Sequence, residues 1–95
     1  MNSCRKSHHS ENVKKHLISR LNRIEGQIRG IKRMIEEDQY CDDILNQITA
    51  IRNALSGVQE ELLSEHIKSC VFEQIKDGEK EVIEELTYTI RKMLK

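Results

Sequence analysis

Apolar side chains recur along this sequence at intervals that alternate between four and three residues. The first run occupies Leu17, Leu21, Ile24, Ile28, Ile31 and Ile35, and the second occupies Ile44, Ile48, Ile51, Leu55, Val58 and Leu62. This alternation places one apolar stripe along an α-helix and is typical of helices that pack side by side. It therefore predicts two long amphipathic helices, over about residues 11–37 and 42–76.

Local signals at the ends of both runs support these helices. Ser10 is a suitable N-cap for the first helix, and Asp42 and Asp43 place carboxylates in the first turn of the second. Lys-Asp-Gly at 76–78 predicts the end of the second helix. A shorter helix over about 80–94 has an apolar face formed by Ile83, Leu86, Ile90 and Met93. Since the chain also lacks proline, we predict an all-α, three-helix protomer.

Two such helices are long for a chain of 95 residues, because a single hairpin leaves much of each apolar stripe in water. We expect residues 11–95 to form a single helical domain, preceded by a flexible N-terminal tail at 1–10, and to fold together with a second copy. Gly26 and Gly30 weaken the first helix, so they are expected where another backbone packs closely.

Charge is divided unevenly, although the net charge of the whole chain is zero. Residues 1–35 hold nine Lys or Arg and two acidic residues, a net charge of +7, while residues 36–95 hold seven basic and fourteen acidic residues, a net charge of −7. A basic surface of this kind is typical of proteins that bind nucleic acid. The alternative is that the basic helix pairs with the acidic half of the chain.

Other classes of protein are disfavoured. No apolar stretch approaches the ~20 residues that span a bilayer, and the N-terminal residues lack an apolar signal core. We therefore expect a cytoplasmic protein with no membrane partner. The sequence shows neither a nucleophile–base pairing nor a phosphate-binding loop, so an enzyme is not expected.

The segment HIKSC, at 66–70, suggests a metal site because it places His66 and Cys70 one helical turn apart. Cys41 lies on the same apolar stripe, 25 residues before His66, which is about 37 Å along an α-helix. Two antiparallel copies would bring Cys41 of one chain to His66 and Cys70 of the other, forming two sites per dimer. Two thiolates and one imidazole suit Cu(I), whereas Zn(II) prefers a fourth ligand. The alternative is that the cysteines are buried as small apolar residues.

Much of the chain resembles a known family. The segments RLNRIEGQIRGI, MIEEDQYC and LLSEHIKSCV, at 20–31, 34–41 and 62–71, are similar to the CsoR/RcnR family of small helical repressors, and most of all to its copper-sensing branch. The resemblance implies an antiparallel dimer of helical hairpins, a homotetramer made of two such dimers, and DNA binding without a helix-turn-helix. It also implies that Cu(I), one per subunit at the dimer interface, releases the repressor from operator DNA, so that copper-efflux genes are expressed.

The same resemblance assigns roles to individual residues. The Cu(I) ligands of the family fall on Cys41, His66 and Cys70. The residues that contact those ligands fall on Tyr40 and Glu85, with Glu84 as the alternative to Glu85.

For DNA binding, the resemblance singles out Arg20 and Arg52. Arginine is also better suited than lysine to reading guanine edges. The remaining basic candidates flank the apolar stripe of the first helix and would neutralise DNA phosphates. They are Lys14, Lys15, Arg23, Arg29, Lys32 and Arg33.

An N-terminal histidine leaves a second metal open. Nickel and cobalt sensors of this family use a histidine that falls on His9, and His9 with Cys41, His66 and Cys70 would offer Ni(II) or Zn(II) four ligands. Sensors of the RcnR type, however, have a histidine in place of Cys70, and persulfide sensors lack the histidine at 66. A Ni(II)-responsive repressor is the main alternative, and a persulfide or thiol sensor and a cytosolic copper-buffering protein are the others.

Overall fold

The structure, a computed structural model, describes residues 9–95, and within this range every regular element is helical. Helix α1 spans Glu11–Glu36, α2 spans Cys41–His66, a π-helical turn spans Ile67–Val71, α3 spans Phe72–Lys76, and α4 spans Glu81–Met93. The predicted all-α class is confirmed. The predicted second helix corresponds to α2, the π-helical turn and α3, which follow one another without a break. Most of the predicted flexible tail lies outside the described residues, as does Cys4.

The helix ends follow from local hydrogen bonding. Ser10 caps α1 as predicted, since its hydroxyl oxygen accepts a hydrogen bond from the Val13 amide at 3.2 Å. After α1, Asp38 adopts a left-handed conformation with φ 54°, and the Gln39 amide donates to the Met34 carbonyl at 3.0 Å. Gly78 adopts the same left-handed conformation after α3, with φ +81°. Both helices therefore end in Schellman motifs, in which a left-handed residue turns the chain back onto the last carbonyls.

The first compact unit, residues 10–62, is a hairpin of α1 and α2. Its core contains Leu17 and Ile24 from α1 and Ile51 and Val58 from α2, with Val13, Ile31 and Ala54 packed against it. Each fully buried side chain contributes about 1.5–3 kcal/mol relative to exposure.

The other half of each predicted stripe is exposed, because alternate members of a four–three stripe point to opposite sides of its centre line. The exposed positions have relative exposures between 38% and 57%. They are Leu21, Ile28, Ile35, Ile48, Leu55 and Leu62. The apolar surface predicted to remain outside a single hairpin is therefore present.

The helical glycines differ in their surroundings within the described part of the chain. A Cβ built on Gly26 or Gly30 meets nothing within 4 Å, so no backbone among residues 9–95 packs closely there, and close packing against another backbone stays a prediction. Gly57 is the helical glycine with a close neighbour, because a Cβ at this position would lie 2.5 Å from Nη2 of Arg20. In this case the close approach is made by a side chain.

The second compact unit contains residues 63–95 together with His9. Its buried residues include Cys70 and Val71 in the π-helical turn, Gln74 in α3 and Val82 in α4. The predicted apolar face of α4 needs a correction, because Ile83 is 47% exposed and Val82 only 4%. Val82 and Ile83 are three or four residues from Leu86 and both lie near its helix face, so the covered side of α4 decides which of the two is buried.

Candidate metal centre and nucleic-acid interface

Cys41 is presented at the first position of α2 with an exposed, free thiol. The carbonyl of the preceding residue, Tyr40, accepts hydrogen bonds from the Asp43 and Ile44 amides, at 3.1 and 3.3 Å. Tyr40 itself is 69% exposed. A shallow, mostly apolar hollow of about 400 Å³ lies beside the thiol. It is lined by Ile35, Asp38, Gln39, Cys41, Ile44 and Leu45. The first turn of α2 thus offers a sulfur ligand that is open to an approaching group.

His66 and Cys70 lie where the helix changes geometry. His66 is half-buried at the last position of α2, and Cys70 is 1% exposed within the π-helical turn. The turn contains the wider hydrogen bond of a π-helix, since the Phe72 amide donates to the Ile67 carbonyl five residues earlier. Such turns interrupt α-helices at functional sites more often than elsewhere. The four-residue spacing of His66 and Cys70 does not reveal the π-helical turn, because the pattern His-x-x-x-Cys is equally compatible with a regular α-helix.

The two predicted sulfur ligands are in different states. Cys41 is free, whereas Cys70 is disulfide-bonded. A thiolate and not a disulfide sulfur is the metal ligand, so Cys70 must be reduced before it can bind Cu(I). The donor set fits a soft ion once that sulfur is released.

No three His, Cys, Asp or Glu side chains within residues 9–95 lie close enough together to hold a metal ion. The described part of one chain therefore does not assemble Cys41, His66 and Cys70 into a complete site. This agrees with the length argument from the sequence, in which one continuous helix keeps the first ligand far from the other two.

The remaining candidates for the metal centre are placed as follows. His9 is half-buried and belongs to the same compact unit as His66 and Cys70. Its buried Nδ1 has no hydrogen-bond partner in the described part of the chain. Glu84 and Glu85 are both exposed on α4.

The basic candidates are nearly all exposed, as a DNA-contacting surface requires. The Nζ atom of Lys14 lies 3.8 Å from Oε1 of Glu11 on the same helix. The exposed members that make no ion pair with the described part of the chain are Lys15, Arg23, Arg29, Lys32, Arg33 and Arg52. The structure therefore agrees with a solvent-facing basic surface on α1 and does not support extensive pairing of this helix with acidic residues within the chain.

Arg20 is the exception, because it is tied to α2. Its Nη1 donates a hydrogen bond to Oε1 of Glu61 at 2.5 Å. Nε2 of His16, one turn earlier on α1, lies 3.2 Å from Oε2 of the same carboxylate. Sequence reasoning missed Glu61 and His16, and only the opposite charges of Arg20 and Glu61 could have suggested the pair.

A small groove lies beside this ion pair, with a volume of about 180 Å³. Its walls include Arg20 and Arg23 from one face of α1, one turn apart, and Gln27 from the next turn. The Gln27 Oε1 atom is buried and accepts no hydrogen bond from residues 9–95. The two arginines therefore border a concave polar surface, which periodicity alone did not indicate.

Helices of this chain are polar on at least one side. None of those described is both long and apolar enough to cross a membrane.

The family of this chain is shown by comparison with known proteins. Residues 13–92 match the family described as "Metal-sensitive transcriptional repressor". The chain therefore belongs to this family, and it is a transcriptional repressor rather than an enzyme.

The names of individual relatives state which metal each of them senses. The copper-sensing transcriptional repressor CsoR of Bacillus subtilis (strain 168) is 44% identical over 90 residues, which cover 94% of this chain and 89% of the relative. The crystal structure of the copper-sensing repressor CsoR with Cu(I) from Geobacillus thermodenitrificans NG80-2 superposes with a TM-score of 0.88 at 38% identity, covering 95% of both chains. The nickel-responsive transcriptional regulator InrS superposes with a TM-score of 0.73 at 32% identity, covering 93% of this chain and 97% of the regulator.

Proposed function

We propose that this protein is a Cu(I)-sensing transcriptional repressor, which binds operator DNA without metal and is released when Cu(I) binds, so that copper-efflux genes are expressed. The observation that carries the proposal is the donor set Cys41, His66 and Cys70 on the fold of a metal-sensitive repressor. Two relatives support the choice of metal, since one is named copper-sensing and a similar structure contains Cu(I).

The metal site in this proposal is shared between subunits. Cys41 of one protomer and His66 and Cys70 of another would hold Cu(I), with one ion per subunit, and the soft ion would supply the bonds that join the two chains. The exposed Cys41 is accessible to a second chain, whereas the described part of one chain forms no three-ligand cluster. Tyr40 directly precedes α2, and Glu85 lies within α4. Their role in this proposal is to orient the metal ligands.

The assembly in this proposal is an antiparallel dimer of hairpins that pairs into a tetramer. The exposed half of the apolar stripes supports it, because isolated large apolar side chains are common on surfaces but a continuous row of them marks an interface. A tetramer in the cytoplasm would repeat the basic face of α1 four times.

DNA binding in this proposal depends on the basic residues of α1 together with Arg52. Phosphate neutralisation by the exposed side chains supplies most of the affinity and makes it strongly dependent on salt. Arg20 and Arg52 are the residues proposed to read the operator, since arginine donates two parallel hydrogen bonds to guanine.

The function is tested by measuring operator affinity with and without Cu(I). The protein is kept reduced and anaerobic, so that Cys70 is a thiol, and DNA from upstream of its own gene is the probe. Cu(I) is expected to weaken binding by at least tenfold, about 1.4 kcal/mol of coupling, and DNA must then weaken Cu(I) binding by the same factor. Equal operator affinities for the metal-free and Cu(I)-loaded protein would contradict the proposal.

A Ni(II)-responsive repressor is the second candidate. It is favoured by the similarity to a nickel-responsive regulator and by His9, whose buried Nδ1 has no partner in residues 9–95. Competition between Cu(I) and Ni(II) on the wild type and on His9→Ala separates the two. The copper proposal expects His9→Ala to respond to Cu(I) like the wild type, and the nickel alternative expects the variant to lose its metal response.

A further inference from the structure

Glu61 and Gly57 together determine where the guanidinium of Arg20 lies. Glu61 holds Nη1 through a 2.5 Å hydrogen bond, and Nη2 lies against α2 where Gly57 has no side chain. The Arg20 side chain remains 36% exposed while Glu61 is 28% exposed. The guanidinium is therefore held by its hydrogen bond to Glu61 and occupies space left by the missing side chain of Gly57, while it stays partly exposed.

The other arginines of this surface have no such restraint. Arg23 lines the same groove as Arg20, but it makes no ion pair with any described residue, and the same is true of Arg29. A long, freely rotating side chain loses conformational entropy when it is ordered on a partner. Arg20 has already lost part of that freedom, and its planar group retains N–H donors that Glu61 does not use.

We propose that Glu61 is a positioning residue for operator recognition, and that Gly57 is required because any side chain at that position would displace the Arg20 guanidinium. The inference rests on the proposed role of Arg20 in DNA binding. Glu61 fixes the orientation of the guanidinium, so that its remaining donors meet a base edge in one geometry. The expected contribution is to the preference for operator over other DNA, since a phosphate would accept the guanidinium in many orientations.

The test compares affinities for two duplexes by fluorescence anisotropy, on metal-free protein with a chelator present. One duplex is the footprinted segment upstream of the protein's own gene, and the other is a scrambled duplex of the same composition. The variants are Glu61→Met, which removes charge and acceptor at similar size, and Glu60→Met, which makes the same change on the neighbouring exposed residue. Both raise general DNA affinity by removing a negative charge, so the ratio of operator to scrambled affinity is the informative quantity.

Glu61→Met is expected to lower this ratio roughly tenfold, within the discrimination that one bidentate arginine provides. Glu60→Met is expected to leave it unchanged. In an Arg20→Ala background, Glu61→Met is expected to have no further effect on the ratio, because the guanidinium that Glu61 positions has been removed. A purely structural role for Glu61 would instead change both affinities together.

Gly57→Ala provides a second variant that does not depend on the fold tolerating the loss of Glu61. Alanine favours a helix over glycine, so the thermal midpoint is expected to stay the same or rise while the operator ratio falls. Stability and specificity then move in opposite directions.

Each of the following results would overturn the inference. If the ratio of operator to scrambled affinity is the same for Glu61→Met and Glu60→Met, Glu61 does not position Arg20. If Glu61→Met raises operator affinity more than Glu60→Met does, Glu61 instead shields Arg20 from DNA. If Arg20→Ala itself leaves the ratio unchanged, the proposed role of Arg20 is wrong and the inference falls with it. If Arg20→Ala lowers the ratio and Glu61→Met does not, only the inference is wrong.

Discussion

Cys41 and Cys70 differ in both oxidation state and surroundings, because Cys41 is a free thiol and Cys70 is disulfide-bonded. Cys41 is exposed at the start of α2, while Cys70 is 1% exposed in the π-helical turn. The buried sulfur of Cys70 is protected from solvent, whereas the exposed thiol of Cys41 is accessible to a second chain. In the proposed shared site, the two cysteines would therefore play complementary parts.

His66→Ala is expected to weaken Cu(I) binding by more than the roughly 10–100-fold that loss of an outer hydrogen-bond partner costs, because a direct ligand is removed. Competition against a chromogenic Cu(I) chelator under reducing conditions measures the change. His16→Ala is the matched control, since His16 is a histidine outside the proposed ligand set. Similar losses in the two variants would show that His66 is not a ligand.

At the scale of elements, backbone conformation at the helix ends is the deciding feature. Gly78, at φ +81°, and Asp38, at φ 54°, occupy equivalent places after α3 and α1. Aspartate tolerates the left-handed region better than most residues, which explains why glycine is present at only one of the two sites.

Gly78→Ala is expected to destabilise the protein by about 1–2 kcal/mol, because alanine must adopt a left-handed conformation at this position. Thermal unfolding followed by circular dichroism measures it, with an expected fall in the midpoint of about 4–8 °C per kcal/mol for a domain of this size. An unchanged midpoint would show that the turn after α3 adapts to a side chain.

Gly26→Ala tests the opposite situation within a helix. A Cβ at Gly26 meets nothing within 4 Å, so the variant is expected to be more stable by about 1 kcal/mol through helix propensity alone. The same unfolding measurement applies. A less stable variant would show that a second chain packs closely against Gly26.

For the molecule as a whole, the main feature is that the apolar stripes are only half covered. Ile24 and Val58 are buried inside the hairpin, whereas Ile28 and Leu55 are more than 40% exposed. The exposed half extends along both helices, which favours a continuous contact with a second copy.

Leu55→Glu is expected to dissociate the assembly and to weaken operator binding by about tenfold or more, because the copies of the basic helix no longer act together. Light scattering after size exclusion measures the mass. Leu94→Glu is the control, because Leu94 is 81% exposed at the C-terminal end and lies outside the stripe. Equal masses for the two variants would contradict the interface.

Mixed dimers test whether the metal site is shared. Dimers made only of Cys41→Ala chains or only of Cys70→Ala chains are expected to bind no Cu(I) tightly. A mixed dimer with one chain of each variant retains one intact site. That site is formed by Cys41 of the Cys70→Ala chain together with His66 and Cys70 of the Cys41→Ala chain. Co-expression with two affinity tags isolates this dimer, and Cu(I) is then counted. A site contained within one chain predicts no tight Cu(I) binding by the mixed dimer.

Most of the fold could be predicted from the sequence, because helix periodicity and capping depend on residues only a few positions apart. The pattern at Leu17 to Ile35, Ser10 as N-cap and the stop at 76–78 all correspond to observed features. The three predicted metal ligands also came from spacing and resemblance, and their assembly across two chains stays a prediction.

The features that required the tertiary structure depend on contacts between residues far apart in sequence. Glu61 meets Arg20 across 41 positions, and no periodicity records such a pair. The burial of Val82 in place of Ile83 depends on which neighbouring side of α4 is covered, and a helix pattern leaves the two positions nearly equivalent. The π-helical turn at Ile67–Val71 arises from a small change in hydrogen bonding that no residue type in the segment requires. The sequence by itself therefore determined the helices and the metal-binding and basic side chains placed along them, and only packing decided which face of each helix is covered and which arginine is restrained.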